Sequence, residues 1–485
     1  MSKFYVTTSV PYVNAPPHIG HALEFVQADV LARYHRKKGD EVFFLTGADE
    51  HGVKIARTAE KAGKTPEELV NENTNKFKEL LDILKISNDD FIRTSDKKRH
   101  WPGVQKLWLN LEKAGKLYKK KYRGLYCVGH EAFITEKDLI DGKCQDHKKE
   151  PEIIEEENWF FRLSDYTSEI KSKIKSGELQ IVPESRKNEI LSLINDGLED
   201  VSFSRPSKDL SWGVPVPNDP DHTMYVWCDA LSNYITAIGY ADDEKKFKRW
   251  WPADVHVIGK DILRFHAAIW PGMLLAAGLP LPKTIFVHGF ITSGKEKMSK
   301  TVGNVIDPIE IVKKYGADAL RYYLLWDIPP TGDGDFTYEK FKERYNGGLA
   351  NGIGNLVARV AKLGETTSPV VYSEGNIEEQ TRNAKKNVCE LYDKLICGIK
   401  FNEALGAAFT HVYFVDNYIN ETKPWTLKGD DLKKVIINAS LLIQAFSELI
   451  EPFLPETAEK IKAQIKFVGN KIEIKKGDSI FPRLK

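Results

Sequence analysis

The chain opens on Phe4-Tyr5-Val6-Thr7-Thr8-Ser9-Val10, an apolar and β-branched run that predicts a buried strand. After a Pro/Asn loop, Leu23, Val26, Val30 and Tyr34 recur at helical spacing until Gly39 stops the helix. Residues 41–46 predict a second strand, followed by Gly47-Ala48-Asp49-Glu50-His51-Gly52 and another helix. Thr65-Pro66-Glu67-Glu68 is a capping box with Pro at the first helical position, so a helix starts there. Alternation of this kind predicts an α/β, doubly wound parallel sheet of Rossmann type, with ligands at the carboxyl ends of its strands. The alternation breaks after about Gly115. The stretch from Tyr118 to Trp159, rich in Lys, Glu, Gly, Cys and His, reads as an insertion with its own small fold. Parallel-sheet strands resume at 255–258 and 284–287, and from about Tyr338 the strand signal disappears. Apolar helical periodicity over 358–363, 391–399 and 435–449 then predicts an all-α bundle. The expected domains are 1–115 and 223–290 for the two halves of the sheet, 116–222 for the insertion, 291–340 for a mobile-loop region, and 341–485 for the bundle.

Composition narrows the picture only slightly. A chain of 485 residues is too long for one core. Its 70 Lys+Arg against 69 Asp+Glu leave no whole-molecule field for a polyanion, so nucleic-acid contacts must come from local patches. No apolar run reaches the length of a membrane span, and the first strand begins too early for a leader peptide. Five cysteines scattered over the chain fit a reducing cytoplasm, in which Cys228, Cys389 and Cys397 read as buried small apolar residues.

The candidate chemistry begins at His18-Ile19-Gly20-His21, where the first strand hands over to a helix. A helix N-terminus with two imidazoles a turn apart, and Gly20 admitting close backbone approach, suits phosphate oxygens. Far along the chain, Lys297-Met298-Ser299-Lys300-Thr301 lies in a polar loop beginning at Thr292-Ser293-Gly294. Gly294 is expected to permit movement there, and Lys295, Lys297 and Lys300 supply mobile positive charge for a phosphoryl-transfer step. The two segments together resemble the paired signature motifs of the class I aminoacyl-tRNA synthetases, with Thr301 where that family usually carries Ser. The resemblance implies that His18, His21, Lys297 and Lys300 are catalytic and that they bind ATP together with Gly20.

Class alone leaves the leucine, isoleucine, valine, cysteine and methionine enzymes open. Four further segments resemble the methionyl-tRNA synthetases: Ser9-Val10-Pro11-Tyr12, the 47–52 stretch, Tyr225-Val226-Trp227-Cys228-Asp229-Ala230 with Tyr234, and Ile258-Gly259-Lys260-Asp261-Ile262 followed by Phe265-His266. An unbranched, sulfur-bearing side chain suits an aromatic pocket. The resemblance implies methionine binding by Val10, Tyr12, Asp49, Trp227, Ala230, Tyr234, Ile262 and His266. Asp49 would meet the ammonium, and Tyr12 and His266 would be polar handles near the sulfur. Gly259 and Asp261 would lie at the adenosine and ribose. It further implies activation of L-methionine by ATP and Mg²⁺, then transfer to the 3′ end of tRNA(Met). Leucyl-, isoleucyl- and valyl-type enzymes carry a large editing insertion, for which 116–222 leaves little room. A non-catalytic RNA-binding relative would not need the phosphate-binding His and Lys residues.

Within the insertion, Cys127-x2-His130 and Cys144-x2-His147 have a spacing close to that of a Cys/His zinc knuckle, with Gly129 and Gly142 at the tight turns. A structural Zn²⁺ is expected at these four residues, with a metal-free remnant as the alternative. In the bundle, Asn351, Asn355 and Arg359 recur every fourth residue, and Lys423-Pro424-Trp425 follows. An exposed Trp stacks an unpaired base while Asn and Arg bond base edges. By resemblance, Asn355, Arg359 and Trp425 read the CAU anticodon. A monomer is the expected state.

Overall fold

Six parallel strands form the central sheet, in the spatial order Asp90–Arg93, Glu41–Ala48, Lys3–Thr8, Val255–Gly259, Thr284–His288, Gln180–Val182. The computed structural model describes residues 2–134, 136–146, 148–298 and 304–484, and of Ala132, Phe133 and Lys297 only the backbone. The first strand is wholly buried from Phe4 to Thr8, as its unbroken apolar and β-branched run requires of a strand covered on both faces. The strand order reverses between Lys3–Thr8 and Val255–Gly259, which pair in register from Val6 with Val255 to Thr8 with Val257. The loops leaving these two strands therefore diverge at the sheet's switch point, where a crevice forms. This is the doubly wound α/β architecture expected from the alternation.

The chain divides into two compact units: residues 1–17, 35–81 and 87–288, and residues 18–34, 82–86 and 289–485. The first unit holds the sheet and the insertion. The insertion is built on a long antiparallel ladder, Leu117–Cys127 against Glu152–Phe161, extended by Ala132–Ile134 and Val201–Ser202. Thr65 and Glu68 make the reciprocal backbone bonds of the expected capping box, at 2.9 and 3.2 Å, and open the Pro66–Ile83 helix.

The second unit joins most of the Ile19–Lys37 helix, up to Tyr34, to the C-terminal helices Glu379–Cys397, Phe401–Thr422 and Gly429–Ile450. Its centre holds a fully buried ion pair, Arg321 Nη1 to Asp29 Oδ2 at 2.7 Å. The same guanidinium donates to the carbonyls of Leu84, Pro452 and Phe453, so every face of the buried cation is satisfied. Arg321 thus ties the helix that follows the first strand to the bundle.

Two expectations need correction. The bundle is not free of strands: Ile465–Val468 and Lys471–Ile474 form a hairpin, paired with Val370–Val371. The hairpin signal was present in the Gly469-Asn470 turn, with Gly469 at φ 58°, flanked by alternating apolar residues. The flanking lysines masked it. Of the three cysteines expected in the core, only Cys228 is buried, whereas Cys389 is partly exposed and Cys397 exposed. The Glu379–Cys397 helix buries Thr381, Tyr392 and Ile396; Cys389 stands at the edge of that face and Cys397 turns away from it. Among the described residues no helix is long and apolar enough to cross a membrane.

Candidate active site

The end of the first strand and the end of Glu41–Ala48 meet through backbone. Asp49 N–H donates to Pro11 C=O at 2.9 Å and Val13 N–H to Asp49 C=O at 3.1 Å, a parallel bridge between Tyr12 and Asp49. The approach is so close that a Cβ on Gly47 would lie 2.3 Å from the Ile92 carbonyl oxygen and 2.7 Å from Val10 Cγ1. This places Val10, Tyr12 and Asp49 together at the carboxyl edge of the sheet.

An aromatic cluster packs against the same core as Val10 and Tyr12. Trp227 sits in the first turn of the Val226–Thr236 helix and stacks on Phe265, with ring centroids 3.8 Å apart and planes 6° from parallel. His266 meets Trp227 edge-on, with centroids 6.2 Å apart. Phe265–Ile269 is a π-helical turn, a distortion often found where a helix must aim side chains at a ligand. His266 Nδ1 lies 3.0 Å from the Ile262 carbonyl, which can only accept, so Nδ1 carries the proton. Its Nε2 then accepts from the Tyr234 hydroxyl at 2.8 Å. Val10, Tyr12, Trp227 and Ile262, partly buried, pack against a core that contains Tyr234 and Phe265, and Ala230 is buried on the same helix as Trp227. All eight residues expected to bind methionine thus belong to one unit and to the elements at its sheet edge.

One detail differs from expectation. The Tyr12 hydroxyl donates to Glu131 at 2.8 Å and His266 makes the two bonds just described, so neither proton points at a ligand sulfur. These residues offer ring surface and lone pairs instead.

Asp49 is 7% exposed, and its Oδ1 accepts only long bonds, 3.5 Å from His51 N–H and 3.4 Å from the Thr94 hydroxyl. Burial, and then the neighbouring Asp229 charge, push its carboxyl well above the usual carboxylate range. Asp229 itself is held low despite burial, because His51 and His100 bond its two oxygens at 2.6 and 2.7 Å. Phe265, Glu131, His51, His100 and Asp229 were not singled out from sequence. His51, Asp229 and Phe265 stand inside motifs that were read, whereas His100 and Glu131 carry no local pattern.

At the next strand end, Gly259 allows the Asp261 carboxylate to fold back, since a Cβ there would sit 2.8 Å from Asp261 Oδ1. Asp261 is exposed and lines a cavity of about 120 Å³ with Arg264, Phe265, His130 and Asp146.

In the other unit, His18 and His21 stand side by side, ring centroids 3.9 Å apart. The backbone N–H of His18 donates to His21 Nδ1 and that of Gly20 to His18 Nδ1, each at 3.1 Å. Both Nδ1 atoms are therefore acceptors, and each neutral ring carries its proton on Nε2. A side chain at Gly20 would collide with the His18 ring at 2.9 Å, which explains the glycine. Ile19 N–H donates to the carbonyl of Ile306 at 3.2 Å, three residues past the undescribed segment 299–303. The first motif and the anchor of the lysine loop are thus in direct contact. Gly294 and Lys295 form a two-residue turn, φ 62° and 68°, between Ile291–Ser293 and Glu296–Lys297, and Lys295 N–H is bonded to Asp335 at 2.6 Å. Lys300 lies outside the described residues, as does the Lys297 side chain.

The sulfurs of Cys127 and Cys144 and a nitrogen of His130 gather within 4.8 Å of one another, with His130 Nδ1 3.7 Å from Cys144 Sγ. A tetrahedron with bonds of about 2.0–2.3 Å has edges of roughly 3.3–3.8 Å, so the set fits zinc. His130 Nε2 bonds Asp146 at 2.9 Å, the outer carboxylate that leaves Nδ1 for a metal. His147 lies outside the described residues. Gly142, at φ 75°, supplies one of the expected turns, and Glu131 at φ 55° holds a left-handed position beside His130.

In the bundle, Asn355 is exposed at the junction of the π-helical stretch Tyr345–Gly354, which holds the exposed Asn351, and the Asn355–Glu365 helix. Arg359 is paired with Asp416 and with Asn420 Oδ1 at 2.9 Å, and Trp425 is 60% exposed.

A family model described as tRNA synthetases class I (M) matches residues 4–145 and 134–361. The chain is 42% identical to the methionine–tRNA ligase of Caldanaerobacter subterraneus subsp. tengcongensis over 99% of its own length and 79% of that protein's. It therefore belongs to the methionyl-tRNA synthetase family. The Brucella suis methionine–tRNA ligase is 41% identical over 95% of this chain and 91% of that protein. Among solved structures, the Mycobacterium tuberculosis methionyl-tRNA synthetase in complex with methionyl-adenylate superposes with a TM-score of 0.93 at 35% identity, covering all of both chains. The apo form of the same enzyme gives 0.84 at 33% identity.

Proposed function

We propose that this chain activates L-methionine with ATP and transfers the methionyl group to the 3′ end of tRNA(Met). The observation that carries this reading is the buried Asp49 beside an aromatic pocket at the sheet's switch point, in a member of the methionyl-tRNA synthetase family. Asp49 takes the substrate ammonium, and Trp227, Phe265, His266 and Tyr234 surround the thioether, whose contacts with rings contribute about 0.3–1.5 kcal/mol each. Fixing ammonium and side chain leaves the carboxylate as the free end. A carboxylate oxygen attacks the α-phosphorus, the bond to the bridging oxygen breaks, and pyrophosphate leaves with the electron pair. No strong base is needed, because the carboxylate is already ionised at neutral pH.

Asp261 accepts the ribose hydroxyls beside the Gly259-Lys260 turn. The Nε2–H groups of His18 and His21 donate to phosphate oxygens, and Lys297 and Lys300 neutralise the charge that builds on the departing pyrophosphate. Mg²⁺ on the triphosphate shares that task. The terminal 2′-OH of tRNA then attacks the acyl carbon, and AMP leaves. Trp425, Asn355 and Arg359 read the anticodon, the exposed indole stacking a base for about 1–3 kcal/mol. Methionine-dependent pyrophosphate–ATP exchange tests the whole reading. Robust exchange with methionine and none with leucine, isoleucine or valine is expected, and exchange driven by leucine alone would overturn it.

Cys127, His130, Cys144 and His147 would hold a structural Zn²⁺ that shapes the insertion, and four protein ligands would leave it no position for a substrate. Protein purified without chelator is expected to hold one zinc per chain by elemental analysis. Cys144→Ser is expected to yield its zinc much faster to a chromophoric chelator. Substoichiometric zinc in the unaltered chain refutes the site.

A further inference from the structure

The Tyr12 backbone is bridged to the sheet edge, but its hydroxyl is held from the insertion. Glu131, 5% exposed and left-handed at φ 55°, follows His130 directly in the chain. Its Oε1 accepts the Tyr12 hydroxyl at 2.8 Å and the N–H of Lys54. Its Oε2 accepts Val53 N–H at 3.0 Å, with the Tyr126 hydroxyl at 3.4 Å. The Val53–Lys61 helix has Gly52 at its N-cap and receives no side-chain cap from it, so a carboxylate from 78 residues away caps it instead. Gly52, at φ 110°, lets the two groups close in, since a Cβ there would lie 2.7 Å from Tyr12 Oη and 3.0 Å from Glu131 Oε2. One carboxylate therefore fixes both the Tyr12 ring and the far end of the loop that carries Asp49.

We infer that Glu131 is a positioning residue for methionine, acting through Tyr12 and the 49–52 loop, and that the insertion thereby forms part of the amino-acid pocket. A capping carboxylate needs only the two backbone N–H groups. The bond to a side chain that faces the substrate is what a purely structural cap does not require. Glu131 touches no reacting atom, so its removal acts on methionine affinity and leaves the phosphate chemistry in place.

The inference rests on the functional reading above, and steady-state exchange kinetics separate the two. Glu131→Gln keeps the size of the side chain but turns one acceptor toward its donors as an amide N–H₂. It is expected to raise the methionine KM about ten- to hundredfold, with the ATP KM within twofold and kcat within threefold. Tyr12→Phe is expected to raise the methionine KM as well, and the double variant to be no worse than the more impaired single one, because both remove the same bond. Multiplying effects, or ATP and methionine KM rising together with a lowered melting temperature, overturn the role of Glu131. If Glu131→Gln does not fold, Tyr12→Phe still decides: an unchanged methionine KM defeats the inference. No methionine-dependent exchange by the unaltered chain defeats the functional reading instead.

Discussion

Asp49→Asn is expected to cost about 10²- to 10³-fold in kcat/KM for methionine, mostly through KM, while the ATP KM stays within about threefold. The carboxylate is buried, accepts only two long hydrogen bonds, and shares its surroundings with Asp229, Glu131 and Glu50. Burial comes first among the causes that hold its pKa well above the usual carboxylate range, and Asp229 adds to it. A methionine ammonium is the counter-charge this environment calls for. Removing one partner of a buried charge pair costs about 3–5 kcal/mol, which sets the magnitude. The sign of the pH effect follows. A raised pKa means that Asp49 takes up a proton as pH falls through that value, and a neutral carboxyl attracts an ammonium poorly. Methionine binding pulls the pKa down, so in that window binding releases a proton and the methionine KM falls as pH rises. Calorimetric titrations with methionine in two buffers of different ionisation enthalpy check this. Asp49→Asn should show neither the proton release nor the acid limb of KM. An unchanged proton count in the variant would mean that another group titrates.

The contrast between Asp49 and Asp229 shows why type and position alone do not assign roles. Both are buried acids within motifs read from the sequence. Asp229 lies between His51 and His100, which bond both of its oxygens and keep it ionised. Asp49 has no such donors at short range, and that difference suits the first to structure and the second to a cationic substrate. His100 comes from the turn before the Trp101–Lys113 helix, far in sequence from the others. Nothing in the local pattern there points to a buried polar network.

What was legible in the sequence was local. The buried strand at 3–8, the capping box at Thr65 and the two ladder strands from Val255 and Thr284 follow from periodicity and turn chemistry, which act over a few residues. The residues expected to bind methionine were legible through the resemblance to known motifs: Val10, Tyr12 and Asp49 follow strand ends, where a doubly wound sheet places ligands, whereas Trp227, Ala230 and Tyr234 lie on the Val226–Thr236 helix. Glu131 was hidden for the opposite reason. Its function depends on a fold-back of 78 residues to Val53 N–H, and beside a knuckle histidine a glutamate looks like solvated charge. The turn at Gly294 was hidden because permissive backbone looks the same in sequence in a loop and in a tight hairpin turn, and the strand pairing of Thr292 with Lys297 shows the turn.

The phosphate end of the reaction gives the second large effect. His21→Ala and Lys300→Ala are each expected to slow methionyl-adenylate formation about 10²- to 10³-fold in single-turnover experiments, the range lost when one preorganised donor to a developing charge is removed. His21 qualifies because its Nδ1 is committed to a backbone N–H, which leaves Nε2–H as the donor of the neutral ring. Lys300 qualifies through its place in the chain: the segment that carries it runs into Ile306, whose carbonyl is bonded to Ile19 N–H within the histidine motif. In the proposed mechanism both groups act on charge that grows as pyrophosphate departs, so the methionine KM should stay within about threefold. Dissociation constants for tRNA should be unchanged, because nothing in this role requires either side chain to hold the nucleic acid. Loss of tRNA binding in Lys300→Ala with normal adenylate formation would transfer that lysine from catalysis to substrate docking. Equal slowing of both steps in His21→Ala would point instead to a collapsed helix start, which the far-ultraviolet spectrum and melting temperature of the variant would reveal.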